Sequence, residues 1–209
     1  MHEQFDVGAP ELLRLNKMAT ALRLLFLFWM MCPFLHFMTA GANTFIVPKL
    51  RDNGALLGQI SFISGLGCVL GMGLFYVLWV PPAVCGAIVA LGSLLLYEWT
   101  RRTVIERNFY VGMSGEVPDS VCEAGPYRFV RHPFYLSYIV AFIAVAVAFP
   151  SFVVSGLCLL NIGLFVYMAL DDERVLLGSK IAEDYRAYRA KVGMFMPRFA
   201  TQRRQRPAN

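Results

Sequence analysis

The sequence predicts an all-α integral membrane protein with about five transmembrane helices, a C-terminal helical hairpin and a cytoplasmic amphipathic helix. The 209 residues are 57% hydrophobic and only 16% charged, which is far too apolar for an ordinary soluble domain. The apolar residues are gathered into long runs. The basic residues are concentrated at the end of the chain, with seven Lys or Arg and no acidic residue from Arg186 onward.

The apolar runs are justified in chain order. Runs at 24–47, 56–80 and 82–99 reach or approach the roughly 20 residues that cross the hydrocarbon core as a helix. The first run does not follow the layout of a cleavable signal peptide, so we interpret it as a retained span or a re-entrant helix. The run 134–170 is too long for one span, and Pro150 near its middle interrupts helical hydrogen bonding. This predicts a hairpin of two short helices.

A further helix is predicted after the hairpin. Apolar and aromatic residues recur there at steps of three or four, the spacing of one helix face: Leu177, Ile181, Tyr185, Tyr188 and Val192. We expect this face to rest against the hairpin or the lipid surface. Composition divides the chain into a membrane anchor of three apolar segments at 1–100, a catalytic half at 101–197 and a basic tail at 198–209, which is attracted to anionic headgroups.

Basic residues also predict the orientation. By the positive-inside rule the C-terminal end is cytoplasmic, and the hairpin then returns the loop at 100–133, with five arginines, to the same side. Five spans place the N-terminus outside, whereas a re-entrant first segment places it in the cytoplasm.

The five cysteines do not indicate a metal site. No pair has the spacing of metal ligands, and four of the five lie in apolar runs, so we expect no metal and interpret them as small packing residues. They are Cys32, Cys68, Cys85, Cys122 and Cys158.

The segment GPYRFVRHPFY, Gly125 to Tyr135, sets a polar cluster against the apolar hairpin. Gly125-Pro126 predicts a turn, and Pro133 suits the first turn of a helix. Arg131 and His132 then lie at a helix N-terminus, which favours binding of a carboxylate or phosphate. Taken singly, the arginines and tyrosines are also typical of interface anchors and an aromatic belt.

An acidic group, Asp171-Asp172-Glu173-Arg174, stands at the far end of the hairpin. Two antiparallel helices bring it back to the side of Arg131 and His132. A site with both signs of charge fits a zwitterionic ligand. The acidic group can also simply end the last membrane helix, or pair with Arg174 or Lys180.

Residues 119–192 resemble the isoprenylcysteine carboxyl methyltransferase family in two motifs, GPYRFVRHPFY and DDERVLLGSKIAEDYRAYRAKV, in the family's order and with its hairpin between them. The resemblance implies a membrane methyltransferase that binds S-adenosylmethionine at the cytoplasmic face and opens sideways to a lipidated substrate. It also implies a cofactor contact by the loop Asp119–Cys122. The residues that it assigns to cofactor binding are Tyr127, His132, Pro133, Phe134, Tyr135 and Glu173.

Two departures from the family pattern affect the substrate. The family's Phe-Gly pair is Ile181-Ala182 here, and Ala169 stands where the family has an arginine that faces a substrate carboxylate. Arg131 and Arg174 are the predicted catalytic residues, because an arginine nearby would orient an acceptor carboxylate through a bidentate fork.

Several functions stay open from the sequence. The first is carboxyl O-methylation of an isoprenylcysteine-like or other lipidic acceptor, and the second is N-methylation of a phospholipid ethanolamine headgroup. The others are an NADPH-dependent reductase of the sterol type and a non-catalytic membrane scaffold. The expected partners are a lipidic or prenylated substrate and membrane lipids, with no nucleic acid.

Overall fold

The computed structural model describes residues 9–44, 52–74, 80–105 and 116–198. The predicted tail at 198–209 lies outside these residues, apart from Arg198. Six α-helices and one short 3-10 turn, Gly125–Arg128, make up the described elements, and no strand is found among them. The helices are α1 Ala9–Thr44, α2 Asp52–Leu74, α3 Val80–Val104, α4 Pro133–Ala148, α5 Phe152–Leu177 and α6 Ala182–Lys191.

Five apolar helices confirm the predicted fold class. Segments of α1, α2, α3 and α5 are long and apolar enough to cross a membrane, and α4 is a shorter apolar helix. Large apolar side chains such as Leu25, Ile63 and Leu159 point outward and are exposed, as expected of a surface that lipid covers. Helix α1 is continuous through Pro33, which supports a span rather than a re-entrant segment.

The predicted hairpin is formed by α4 and α5, which Phe149, Pro150 and Ser151 separate. The expectation of two short helices is wrong for α5, which has 26 residues. The acidic residues do not end this helix, because its hydrogen bonding continues as far as Gly178, whose N–H donates to the carbonyls of Arg174 and Val175. Glu173 is therefore held on a rigid element.

Small residues let α3 and α4 approach closely. A Cβ built on Gly86 would lie 2.5 Å from Ala148 Cβ and 2.8 Å from the Ala144 carbonyl oxygen. Ser93 Oγ donates to the carbonyl of Ser137 at 2.8 Å. Small residues and interhelical hydrogen bonds are how membrane helices associate, so this interface fixes α4 and the polar motif before it.

A polar contact joins α2 to α5. Buried Asn161 accepts a hydrogen bond from Ser61 at 2.9 Å and donates to Ser64 at 2.8 Å. The Sγ atoms of Cys68 and Cys158 lie 3.9 Å apart in the same interface. Both cysteines are buried in the core with apolar side chains, in agreement with their predicted packing role.

Helix α6 buries the predicted stripe. Tyr185, Tyr188 and Val192 form a cluster against Leu177 at the end of α5 and Val121 in the loop before the motif. The helix thus rests on the end of the hairpin and on that loop, and it closes over the polar motif.

Candidate functional site

A buried ion pair lies at the centre of the site. Arg131, just before α4, has Nη2 2.7 Å from Glu173 Oε1, near the end of α5. His132 Nε2 lies 3.3 Å from the same oxygen. The side chains of Arg131 and Glu173 are 5% and 4% exposed. The hairpin therefore brings the predicted groups together, about forty positions apart in the sequence.

The guanidinium of Arg131 is fully engaged. Its Nε donates to Glu173 at 2.8 Å. Its Nη1 donates to the carbonyls of Val192 at 2.6 Å and Arg189 at 3.4 Å. These contacts assign Arg131 to the support of Glu173, and its predicted part in orienting an acceptor stays a prediction.

Two backbone groups at the start of α4 are also occupied. The N–H groups of Arg131 and His132 donate to the carbonyls of Gly193 and Met194, at 2.9 and 3.3 Å. The segment after α6 therefore folds back onto the residues before α4, and the predicted anion site at this helix N-terminus stays a prediction. The predicted turn at Gly125 and the helix start at Pro133 are confirmed.

A second polar pair lies beside the first. Tyr135, in the first turn of α4, donates its hydroxyl to Asp172 Oδ2 at 2.8 Å. Asp172 and Tyr135 are both half-buried. The site thus carries a carboxylate that is less deeply buried than Glu173.

Tyr127 and Phe134 pack on the apolar side of the motif. They share a cluster with Tyr97 and Val104 of α3 and with Cys122, and the rings of Tyr97 and Phe134 have centroids 5.3 Å apart. Burial raises the pKa of Tyr127 well above its usual range, so the phenol stays neutral. Pro133 is buried at the helix start.

Arg174 is not brought into this cluster. Its side chain is 71% exposed, and its nearest acidic partner in the described part of the chain is Asp171, with Nη1 3.9 Å from Oδ1. Arg174 lies at the outer surface of α5, and its predicted catalytic role stays a prediction.

The loop at 119–122 is tied to the turn between α5 and α6. Lys180 Nζ donates to Asp119 Oδ1 at 2.7 Å, and this bond lowers the pKa of Asp119. Both groups are exposed, so the pair contributes little to stability. Its effect is to hold the loop, with Val121, against α6.

Arg189 belongs to the site and was missed by the sequence analysis. Its Nε lies 3.2 Å from Glu173 Oε2, and its side chain is 46% exposed. The sequence indicates only that Arg189 follows Tyr188 on the predicted helix. That spacing does not show which tertiary neighbour the helix meets.

Tyr188 links α6 to the polar motif through one buried hydrogen bond, because its hydroxyl donates to the Tyr127 carbonyl at 2.6 Å. Replacing Tyr188 with Phe is expected to lower the free energy of unfolding by about 0.5–1.5 kcal/mol, because one buried hydrogen bond is lost. Denaturation in mixed micelles followed by circular dichroism measures this. Tyr167→Phe, at an exposed ring of α5, is the control, and equal effects of the two changes would refute the account.

Comparison with known families identifies the region that holds this site. Residues 82–179 match the model of the phospholipid methyltransferase family, which includes the isoprenylcysteine carboxyl methyltransferases. The chain is similar to the phospholipid methyltransferase family over this region. The match runs from α3 to the end of α5 and includes Arg131, His132 and Glu173. No curated protein matches the chain.

The match to the phospholipid methyltransferase family model indicates a membrane methyltransferase, in keeping with the apolar helices. Similarity to a methyltransferase family implies that S-adenosylmethionine is the methyl donor. The family contains enzymes for different acceptors, so the match leaves the substrate to be argued from the site.

Proposed function

We propose that this protein transfers a methyl group from S-adenosylmethionine to a lipidic acceptor at the cytoplasmic face of a membrane. The observation that carries the proposal is the buried contact of Glu173 with Arg131 and His132, which lies in the matched region. It joins the two ends of an apolar hairpin, so the site lies where polar ligands and lipid meet.

The charges of the site fit the cofactor. S-adenosylmethionine carries a carboxylate, an ammonium and a sulfonium, and when bound it supplies a methyl group ready for in-line attack. Glu173, at the centre of the site, offers a carboxylate to the cations of the cofactor, as the resemblance implies. His132, Tyr135 and Glu173 would hold the cofactor, as the resemblance implies, with Tyr127, Pro133 and Phe134 shaping the wall beside them.

The acceptor is the finer part of the proposal. A carboxyl acceptor of the isoprenylcysteine type needs a cation. Arg131 is engaged by Glu173, Arg174 lies apart, and buried Ala169 offers no charge. Arg189 is half-exposed, and its Nε is already paired with Glu173. An amine acceptor needs a carboxylate, and Asp172 beside Tyr135 supplies one. These contacts favour the ethanolamine headgroup of a phospholipid over an isoprenylcysteine-like carboxyl group.

The cytoplasmic orientation is supported by charge. The site adjoins α6 and the chain after it, where basic residues are concentrated, and such segments stay on the cytoplasmic side. A cysteine introduced at Arg186, which is exposed on α6, in a background without the native cysteines, tests this by labelling with an impermeant maleimide. We expect the reagent to leave this cysteine unlabelled in intact cells and to label it once the membrane is permeabilised.

Methyl transfer distinguishes the acceptors directly. Purified protein is given S-adenosylmethionine with a labelled methyl group, together with phosphatidylethanolamine vesicles or N-acetyl-S-farnesylcysteine. We expect base-stable label in the phospholipid, since N-methyl groups survive base, whereas base-labile label in the farnesylcysteine would show a methyl ester and support the carboxyl alternative. Asp172→Asn should slow transfer to the amine about tenfold or more, with Asp171→Asn as the neighbouring control.

A further inference from the structure

The Glu173 cluster has more positive than negative charge. Arg131 and Arg189 both meet the single carboxylate of Glu173, one at each oxygen. His132 adds a third nitrogen group to the same side. A partly buried charge without a counter-ion is costly, so the cluster as it stands is suited to receive an anion.

Arg189 presents this excess charge. The nitrogens of Arg131 are used by Glu173 and by the Val192 and Arg189 carbonyls. The side chain of Arg189 is half-exposed, and in the described parts of the chain Glu173 is its acidic partner, reached through Nε. No hydrogen bond from the two terminal nitrogens of Arg189 to a described residue is found, and such nitrogens can form the fork that binds carboxylates in a bidentate manner.

Tyr185 is an independent sign of a ligand at the same place. Its hydroxyl is buried and lacks a hydrogen bond of acceptable geometry to any described residue, which is uncommon for a buried polar atom. Burial raises the pKa of Tyr185, and Glu173 and Arg131 are its charged neighbours. Tyr185 stands four residues before Arg189, on the same face of α6. A neutral hydroxyl and a guanidinium thus flank Glu173 together.

We propose that Arg189 and Tyr185 form a carboxylate-binding subsite at the outer edge of the Glu173 cluster. The inference rests on the proposed function. Two ligands of that function carry a carboxylate: the amino-acid part of S-adenosylmethionine, and an acceptor of the prenylcysteine type. Both residues lie beyond the region that the family model matches, so the subsite belongs to the α6 segment of this chain.

Calorimetry on the full chain in detergent tests the subsite without relying on turnover. The probes are S-adenosylmethionine, its decarboxylated analogue, N-acetyl-S-farnesylcysteine and the methyl ester of that acid. The proteins are wild type, Arg189→Ala, Arg189→Lys and Tyr185→Phe, with Arg186→Ala as the control on the same helix. Tyr185→Phe removes only a hydroxyl that has no hydrogen bond of acceptable geometry to the described residues, so this variant is expected to fold as wild type does.

If the subsite holds the cofactor, wild type prefers S-adenosylmethionine to the decarboxylated analogue by about tenfold or more. Arg189→Ala and Tyr185→Phe each reduce that preference, Arg189→Lys keeps part of it, and Arg186→Ala leaves it unchanged. If the subsite holds the acceptor, wild type prefers N-acetyl-S-farnesylcysteine to its methyl ester, and the variants change that preference in the same way.

Unchanged preferences in both Arg189→Ala and Tyr185→Phe would overturn the subsite while leaving the methyltransferase function intact. Failure of the proposed function gives a different result. A wild type that binds neither form of the cofactor contradicts the proposed function, and binding of the free acid over its ester by that protein would still support the subsite.

Discussion

Replacing Glu173 with alanine is expected to lower the free energy of unfolding by about 3–5 kcal/mol, the cost of leaving a buried charge unpaired. Arg131 is 5% exposed and has Glu173 as its acidic partner, so its charge would stay in a site that water does not reach. The two Glu173 oxygens also hold His132 and Arg189. Denaturation in mixed micelles followed by circular dichroism measures the loss.

The control for this change is Glu183→Ala, which removes a carboxylate from an exposed position of α6 and is expected to change stability by less than about 0.5 kcal/mol. Glu173→Gln keeps one hydrogen-bond acceptor and should fall between alanine and wild type. A Glu173→Ala protein as stable as Glu183→Ala would show that the buried pair does not hold the hairpin ends together.

The second large effect is expected at Gly86. A methyl group there would meet the Ala148 Cβ atom at 2.5 Å and the Ala144 carbonyl oxygen at 2.8 Å. Backbone atoms cannot turn aside as a long side chain can, so Gly86→Ala should separate α3 from α4. The expected loss of stability is about 1–3 kcal/mol, measured as the shift in the unfolding midpoint in detergent.

Gly92 is the matched control because it lies in the same helix, and an added Cβ there would have no atom of another described residue within 4 Å, apart from the backbone of its own helix. Gly92→Ala should be neutral or stabilising by up to about 1 kcal/mol, since alanine favours a helix. If both substitutions had the same effect, close packing of α3 on α4 would not be what positions the motif before α4.

Apolar runs and prolines were sufficient to predict the fold class. Long apolar segments have few alternatives in a membrane, and Pro150 located the turn between α4 and α5. The meeting of His132 with Glu173 followed from the hairpin, since antiparallel helices return the chain to its starting side. Local pattern and tertiary structure agree in these elements.

The remainder of the site depends on tertiary contacts that have no local pattern. The carbonyls of Gly193 and Met194 meet the N–H groups before α4 because α6 folds back across the hairpin end. The contact of Arg189 with Glu173 has the same origin. The sequence predicts too short an α5 because the final turns of this helix are polar, although helical hydrogen bonding continues to Gly178.

Cofactor binding is the most direct test of the central claim. Calorimetry of the purified full chain should show saturable binding of S-adenosylmethionine, weakened by about tenfold or more in His132→Ala, whose ring lies against Glu173. NADPH should not bind. A well-folded wild type that binds no S-adenosylmethionine would contradict the methyltransferase account, and binding of NADPH in its place would favour a reductase.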